Sequence, residues 1–316
     1  MKRLQMIKRV VAAGMALCLT FGIGMEHPMV YASEIEEPVQ EEIEQIQMMT
    51  DGKCGLEQPE FLEPEEISEY SITLYSNDRT ATSSEVEYWK SFNNNYYYNQ
   101  LSSIEKKAWD ELERSCINAA VGSSDMDSVM VSTGITGMDR SALFNLAYRF
   151  KLSHPQYFFL KNTFGYMTNS SGESYPYIPV YDEFQNGAAR QNAVHTFTDK
   201  IDSWVTTISQ QTYDEQKEKA AFDLICNNTV YQSGTYDQSA YSMVCEGKTV
   251  CAGYTAVLQI LLNAVGVDTI EVTGTANGGN HAWNMVKVHN TWYDVDVTFA
   301  DQNDSENSGY WYGINY

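Results

Sequence analysis

An α+β fold is predicted for this chain of 316 residues: one helix packed on an antiparallel sheet, preceded by a mostly helical portion. Three observations predict it. A helix-period apolar stripe runs through "TVCAGYTAVLQILLNAVGVD", and strand alternation about a two-residue turn runs through "GGNHAWNMVKVHNTWYDVDVTF". Ahead of both lies a series of capped, amphipathic segments.

Taken in order, "SSIEKKAWDELERSCINAA" opens with Ser102 and carries Glu105 three residues on, a capping-box signature, followed by Ile104, Ala108, Leu112 and Cys116 on one face. "DRSALFNLAYRFKLSHP" repeats the type and breaks at Pro155. "QYFFLKNTFGYMTNSSGESYPYIPVY" alternates and is rich in Gly, Ser and Pro, as strands and turns are. "QNAVHTFTDKIDSWVTTI" and "DEQKEKAAFDLICNNTVY" read as two further helices. The stripe at 254, 257, 258, 261, 262 and 265 then makes a helix stopped by Gly266 at the position just past its cap. With His289–Asn290 as the turn, the two strands pair in register. His281 then faces Thr298 and Trp283 faces Asp296. "YWYGINY" at the end suggests a last strand. The many Tyr and Phe residues of 84–182 are read as core, as are His154 and His195 as structural side chains.

Composition bounds the setting. Lys2, Arg3, Lys8 and Arg9 precede the apolar run Val10–Met25 and "VYA", the layout of a signal peptide over 1–32. Export to the cell surface or beyond follows, and no later run is apolar enough for a membrane span. Loss of residues 1–32 takes the net charge from −22 to −25. Fourteen Asp and Glu fall in 33–80 against Lys53 and Arg79, so 33–83 reads as an acidic, disordered linker. A chain this acidic has no net positive charge with which to attract phosphates, which argues against a nucleic-acid partner. Residues 84–210 form the mostly helical portion and 211–316 the part that carries the chemistry.

Five cysteines follow the signal peptide: 54, 116, 226, 245 and 251. No CxxC and no His at ligand spacing accompanies them, so no metal site is expected, and "DQNDSEN" (301–307) lacks the glycine and glutamate of a calcium loop. Cys251 lies in the first turn of its helix, where unpaired N–H groups and the helix dipole favour a thiolate. Gly253 beside it would leave room for a substrate. On the hairpin, His281 and Asp296 become diagonal neighbours on a face shared with Trp283 and Asp294, while Ala282, Asn284, Val286, Val288, Tyr293, Val295, Val297 and Phe299 make an almost wholly apolar face. An imidazole oriented by a carboxylate lacks only a nucleophile, which the Cys251 helix would supply by packing on the polar face.

"GKTVCAGYTAVLQILLNAVGV" and "GGNHAWNMVKVHNTWYDVDVTF" together resemble the core of the transglutaminase-like superfamily: Cys-x-Gly-Tyr on a helix, His-Ala-Trp-Asn on a strand, Trp-Tyr-x-Val-Asp-x-Thr on the next. The resemblance covers about residues 215–300 and implies a papain-like core over 211–316. It implies Cys251 as nucleophile, His281 as base and then acid, and Asp296 as orienter, the Val-Asp-x-Thr match favouring it over Asp294. A second oxyanion donor upstream of the cysteine would be Tyr241 or Tyr231. No cofactor is implied. The partner expected is a protein or peptide substrate, including cell-wall peptide, and the thioester formed would be hydrolysed in preference to amine transfer. Two alternatives stand beside this reading: a transglutaminase cross-linking glutamine to amines, and a surface-binding module that keeps the fold without catalysis.

Overall fold

The computed structural model describes residues 55–62, 65–67, 79–276 and 278–301. The expected signal peptide, the acidic run up to 54, the "DQNDSEN" segment past Asp301 and "YWYGINY" lie outside them. The helices are α1 (Ser83–Lys90), α2 (Ser103–Val121), α3 (Arg140–Ser153), the short α4 (Asp182–Gln185), α5 (Gly187–Ile208), α6 (Asp214–Asn228), α7 (Cys251–Ala264) and the short α8 (Val297–Asp301).

The expected helices form for the expected reasons. Ser102 Oγ accepts the Glu105 N–H while a Glu105 carboxylate oxygen accepts the Ser102 N–H at 2.8 Å, closing the capping box of α2. Its buried face includes Ala108, Trp109, Leu112 and Cys116. At its far end the carbonyls left over are met from α5. Fully buried Arg190 donates to Ala119 O and Ser124 O at 2.9 and 2.6 Å, and Gln191 donates to Ala120 O and Gly122 O. His154 is structural: its Nδ1 lies 2.7 Å from Phe150 O and its ring stacks on Phe150. His195 lies exposed on α5.

The first sheet holds β1 (Glu60–Phe61), β2 (Glu65–Ile67), β3 (Ser128–Met130), β4 (Thr163–Asn169) and β5 (Ser174–Pro179). Its order is β1-β4-β5-β3, with β2 also on β4. The helical portion is therefore built round a sheet, and the reading of 33–83 as a solvated linker does not hold for 60–61 and 65–67, which pair with β4 in parallel. Backbone pairing is indifferent to side-chain charge, so an acidic composition did not preclude it.

Next come the two-stranded β6 (Val230–Tyr231) and β7 (Lys248–Thr249), and the antiparallel sheet of β8 (Thr269–Ala276), β9 (Gly279–Val288) and β10 (Thr291–Val295), ordered β10-β9-β8. One continuous apolar core runs from Trp89 to Ala300, and α3 packs against strands of both the first sheet and the β8 sheet. Trp109, Phe150, Tyr157, Phe158 and Phe159 are in it, so the aromatics of 84–182 are core. At about 1.5–3 kcal/mol for each large apolar side chain buried, they contribute more to the fold than any surface pairing could. Among the described residues no helix is long and apolar enough to cross a membrane.

Candidate active site

Helix α7 is the centre of the site because it is the centre of the protein. Every residue from Cys251 to Asn263 is buried, the polar Thr255, Gln259 and Asn263 included. It ends in the motif its sequence announces. Gly266 has φ +79°, its N–H bonds Asn263 O, and the Val267 N–H reaches back to Leu262 O. Its start is left open: no side chain caps it and its first turn carries no acid. Cys251 sits there, fully buried. The other described cysteines are poor thiolates. Burial pushes Cys116 and Cys226 well up, the latter aided by Asp301, and pushes Cys245 up to about 12.

Gly253 is needed for a reason other than the one expected. A Cβ there would stand 2.0 Å from Thr249 Oγ1, so the glycine makes room for a buried hydroxyl and not for substrate. Ser242 Oγ donates to Thr249 Oγ1 at 2.8 Å, and that hydroxyl donates to Asp237 O at 3.0 Å, tying together the segments that lead into α7. Gly253→Ala must push this chain apart. We expect a loss of about 2 kcal/mol, as for other overpacked sites, read as a lowered thermal midpoint, together with a fall in kcat because the first turn moves.

The hairpin forms in the predicted register, from Thr291↔Val288 to Val295↔Asn284, about a turn in which His289 and Asn290 have φ of 50° and 61°. It stops earlier than alternation predicts. β10 ends at Val295, and Asp296 starts α8 with its Oδ1 accepting the Phe299 N–H at 3.1 Å, so the pairs Trp283–Asp296 and His281–Thr298 do not form. The reason is helix capping: aspartate is among the best residues at a helix start, and strand pairing yields to it.

His281 and Asp296 meet all the same. His281 Nε2 lies 2.7 Å from Asp296 Oδ2, both side chains buried. One carboxylate thus caps α8 and holds the imidazole. Phe299, expected on the opposite face, packs its ring 4.6 Å from the His281 ring, because alternation ends where the helix begins. Trp283 lies nearly parallel to His281 at 6.0 Å and donates its N–H to Asp294 Oδ1 at 3.0 Å. Asp294 is thereby engaged by the tryptophan. Burial raises it to about 6, against the pull of the Trp283 N–H, with Asp296 adding to the rise.

The helix covers the other face of the sheet from the one expected. Asn284, which points with Ala282 and Val286, donates to Thr255 O of α7 at 3.1 Å. The apolar helix takes the apolar face, since that buries the most surface. Farther along, Asn263 bonds Thr269 in both directions, and Thr269 pairs with Val286. From Thr255 to Asn263 on α7 and from Asn284 to Val286 on β9 the chain runs the same way. The first turn of α7, with Cys251, and the start of β9, with His281, therefore lie at the same end of the helix–sheet pair.

Beside that end is a cavity of about 30 Å³ lined by Leu56, Glu57, Lys151, Gln238, Ala252 and Glu271. Burial lowers Lys151 and raises Glu271. Of the two candidate tyrosines, Tyr231 stands at the helix start: it pairs with Thr249, and its hydroxyl and Val250 flank the same glycine, Gly55. Tyr241 is packed among Phe158, Phe184 and Tyr236. Sequence reasoning missed Gly55, Glu57, Asn162 and Gln238, which no local pattern marks. Among the described residues no cluster of His, Cys, Asp or Glu is suited to a metal ion.

Residues 202–297, which contain Cys251, His281 and Asp296, match the family model of the transglutaminase-like superfamily, and this segment is transglutaminase-like within an α+β fold. A solved structure of a TGase is 17% identical over 54% of this chain and 50% of that one, with a TM-score of 0.29. The periplasmic domain of TgpA from Pseudomonas aeruginosa is 12% identical over 40% of this chain and 54% of that one, with a TM-score of 0.29. The chain spans about half the length of these two structures. No curated protein matches it.

Proposed function

We propose that this chain is a thiol enzyme that takes the acyl group of a peptide or carboxamide onto Cys251 and passes it to water. The observation that carries the reading is the buried His281–Asp296 pair at 2.7 Å, at the same end as the first turn of α7. Asp296 engages Nε2, so proton exchange with the thiol runs through Nδ1. The thiol proton passes to His281 as Sγ bonds the carbonyl carbon. Asp296 stabilises the imidazolium, and the oxyanion is met by N–H groups of the open helix start and by the Tyr231 hydroxyl. Collapse breaks the C–N bond, and Nδ1–H protonates the leaving amine. Water, deprotonated by His281, then attacks the thioester; the C–S bond breaks and the proton returns to sulfur.

Hydrolysis is favoured over amine transfer by Trp283. It is buried, parallel to His281 and tied to Asp294, the arrangement of a cover over the His281–Asp296 bond rather than of a tunnel wall for an incoming amine. Export, a protein or cell-wall peptide substrate and the roles of the three residues belong to this proposal. Incubation with a glutamine-containing protein and a fluorescent primary amine, followed by mass spectrometry, tests it. We expect new chain ends or deamidated glutamine with no label. Incorporation of the amine without cleavage would make the enzyme a cross-linker, and no product of either kind would leave a binding module.

A further inference from the structure

The segment Gly55–Phe61 is held in an unusual way for a piece of a folded core. None of its side chains is buried, and Phe61, the largest, is 42% exposed while touching Phe144 and Phe164. It is held by its backbone. Gln238 Nε2 donates to Gly55 O at 2.7 Å, and Gln238 Oε1 accepts the Glu57 N–H at 2.9 Å. In an extended chain the carbonyl of one residue and the N–H two residues on point to the same side, so one amide side chain serves both as a neighbouring strand would. Asn162 Nδ2 donates to Glu57 O at 3.1 Å, the Glu60 N–H donates to Asn162 O at 3.0 Å and the Leu62 N–H to Phe164 O at 2.8 Å. Four bonds to the segment, and a fifth to Leu62 just after it, go to main-chain groups that any extended peptide possesses, which is how proteins bind peptides along a sheet edge.

Where the segment ends matters as much as how it is held. Gly55, at φ +71°, packs so closely on the residue before Cys251 that a Cβ would lie 2.7 Å from Val250 Cβ and 2.8 Å from the Tyr231 hydroxyl. Leu56 and Glu57 wall the cavity that Ala252, the residue after Cys251, also lines. The segment thus touches the surroundings of both neighbours of the nucleophile, and Cys251 itself has no exposed surface.

We propose that the groove formed by Gln238, Asn162 and the side of β4 that β1 occupies, beside the α7 start, is a binding site for an extended peptide, and that Gly55–Phe61 is its intramolecular occupant, keeping Cys251 covered. The inference rests on Cys251 as the reactive thiol proposed above and adds to it the substrate's conformation, its clamps and a closed state. Displacing the segment uncovers the site, and an extended substrate competes for the same main-chain partners.

The test uses the full chain and reads thiol accessibility, so it needs no turnover. Gly55→Ala places a Cβ where Val250 and Tyr231 stand, at a φ that side chains rarely adopt. Glu57→Pro removes the N–H given to Gln238 and leaves Gly55 intact. Iodoacetamide labelling followed by mass spectrometry should show Cys251 modified at least about tenfold faster in both variants, a tenfold change corresponding to about 1.4 kcal/mol of opening free energy. Cys116, buried in the core, serves as the internal reference and should be unchanged. A synthetic peptide of residues 55–62 added in excess should restore protection of Cys251 in the variants. Unchanged labelling of Cys251, equal acceleration at Cys116, or no protection by the peptide would each overturn the proposal. If Cys251 is uncovered and protected as expected in a chain without hydrolase activity, the groove stands and the enzymatic reading fails. If the wild type turns over substrate while labelling is insensitive to both variants, only the occupied groove is lost.

Discussion

Cys251→Ala is expected to abolish both hydrolysis and amine transfer, with turnover falling by about 10⁴-fold or more, since the groups that remain can bind a carbonyl and polarise it but cannot form the thioester. The loss should be in kcat, with substrate affinity kept. The substitution changes little else: alanine is an excellent helix former and the thiol at 251 is small, so the fold should lose no more than about 1 kcal/mol. The check is a steady-state assay beside a thermal melt. Substrate turnover by the alanine variant within tenfold of wild type, with the melt unchanged, would move the nucleophile elsewhere. Among the described cysteines the alternatives are poor, because burial holds Cys116, Cys226 and Cys245 as thiols.

The second large effect is expected at Asp296, where two roles sit on one carboxylate and can be separated. Asp296→Asn keeps an oxygen to accept the Phe299 N–H and so keeps the cap of α8, asparagine being as good as aspartate there. It removes the charge that holds His281 and stabilises the imidazolium, and kcat should fall by roughly 10²–10⁴-fold with the thermal midpoint unchanged. Asp296→Ala loses both and should add about 1 kcal/mol of destabilisation to the same kinetic defect. Asp294→Asn, which still accepts the Trp283 N–H, should change kcat only a few-fold. Equal kinetic losses at 294 and 296 would show that the field of two acids, and not the bond to His281, is what matters.

The sequence by itself determined most of the local structure and the parts list of the site. Ser102 with Glu105 fixed the start of α2, Gly266 the end of α7, and His289–Asn290 the register of the hairpin, because each acts through bonds that close within a few residues. The pairing of His281 with Asp296 followed from that register, although the route differed: a capping aspartate ended β10 before the predicted cross-strand pair could form. The resemblance carried by the Cys251 helix and the His281 hairpin, over about residues 215–300, falls largely within residues 202–297, which the transglutaminase-like family model matches.

What only the tertiary structure decided is everything that rests on surfaces meeting across long stretches of chain. Alternation marks two faces of a hairpin but not which neighbour each receives, and α7 went to the apolar face through Asn284 and Thr255 because burial is proportional to area and blind to the catalytic pattern. Gly253 could be read as space for a substrate until Thr249 was seen to fill it. The acidic residues 55–62 carried the composition of a solvated tail, and their place beside Val250 depends on main-chain groups that every residue shares. A side-chain alphabet records local bonds and periodic burial; it does not record a backbone that is held by the amides of Gln238 and Asn162, more than 100 residues away.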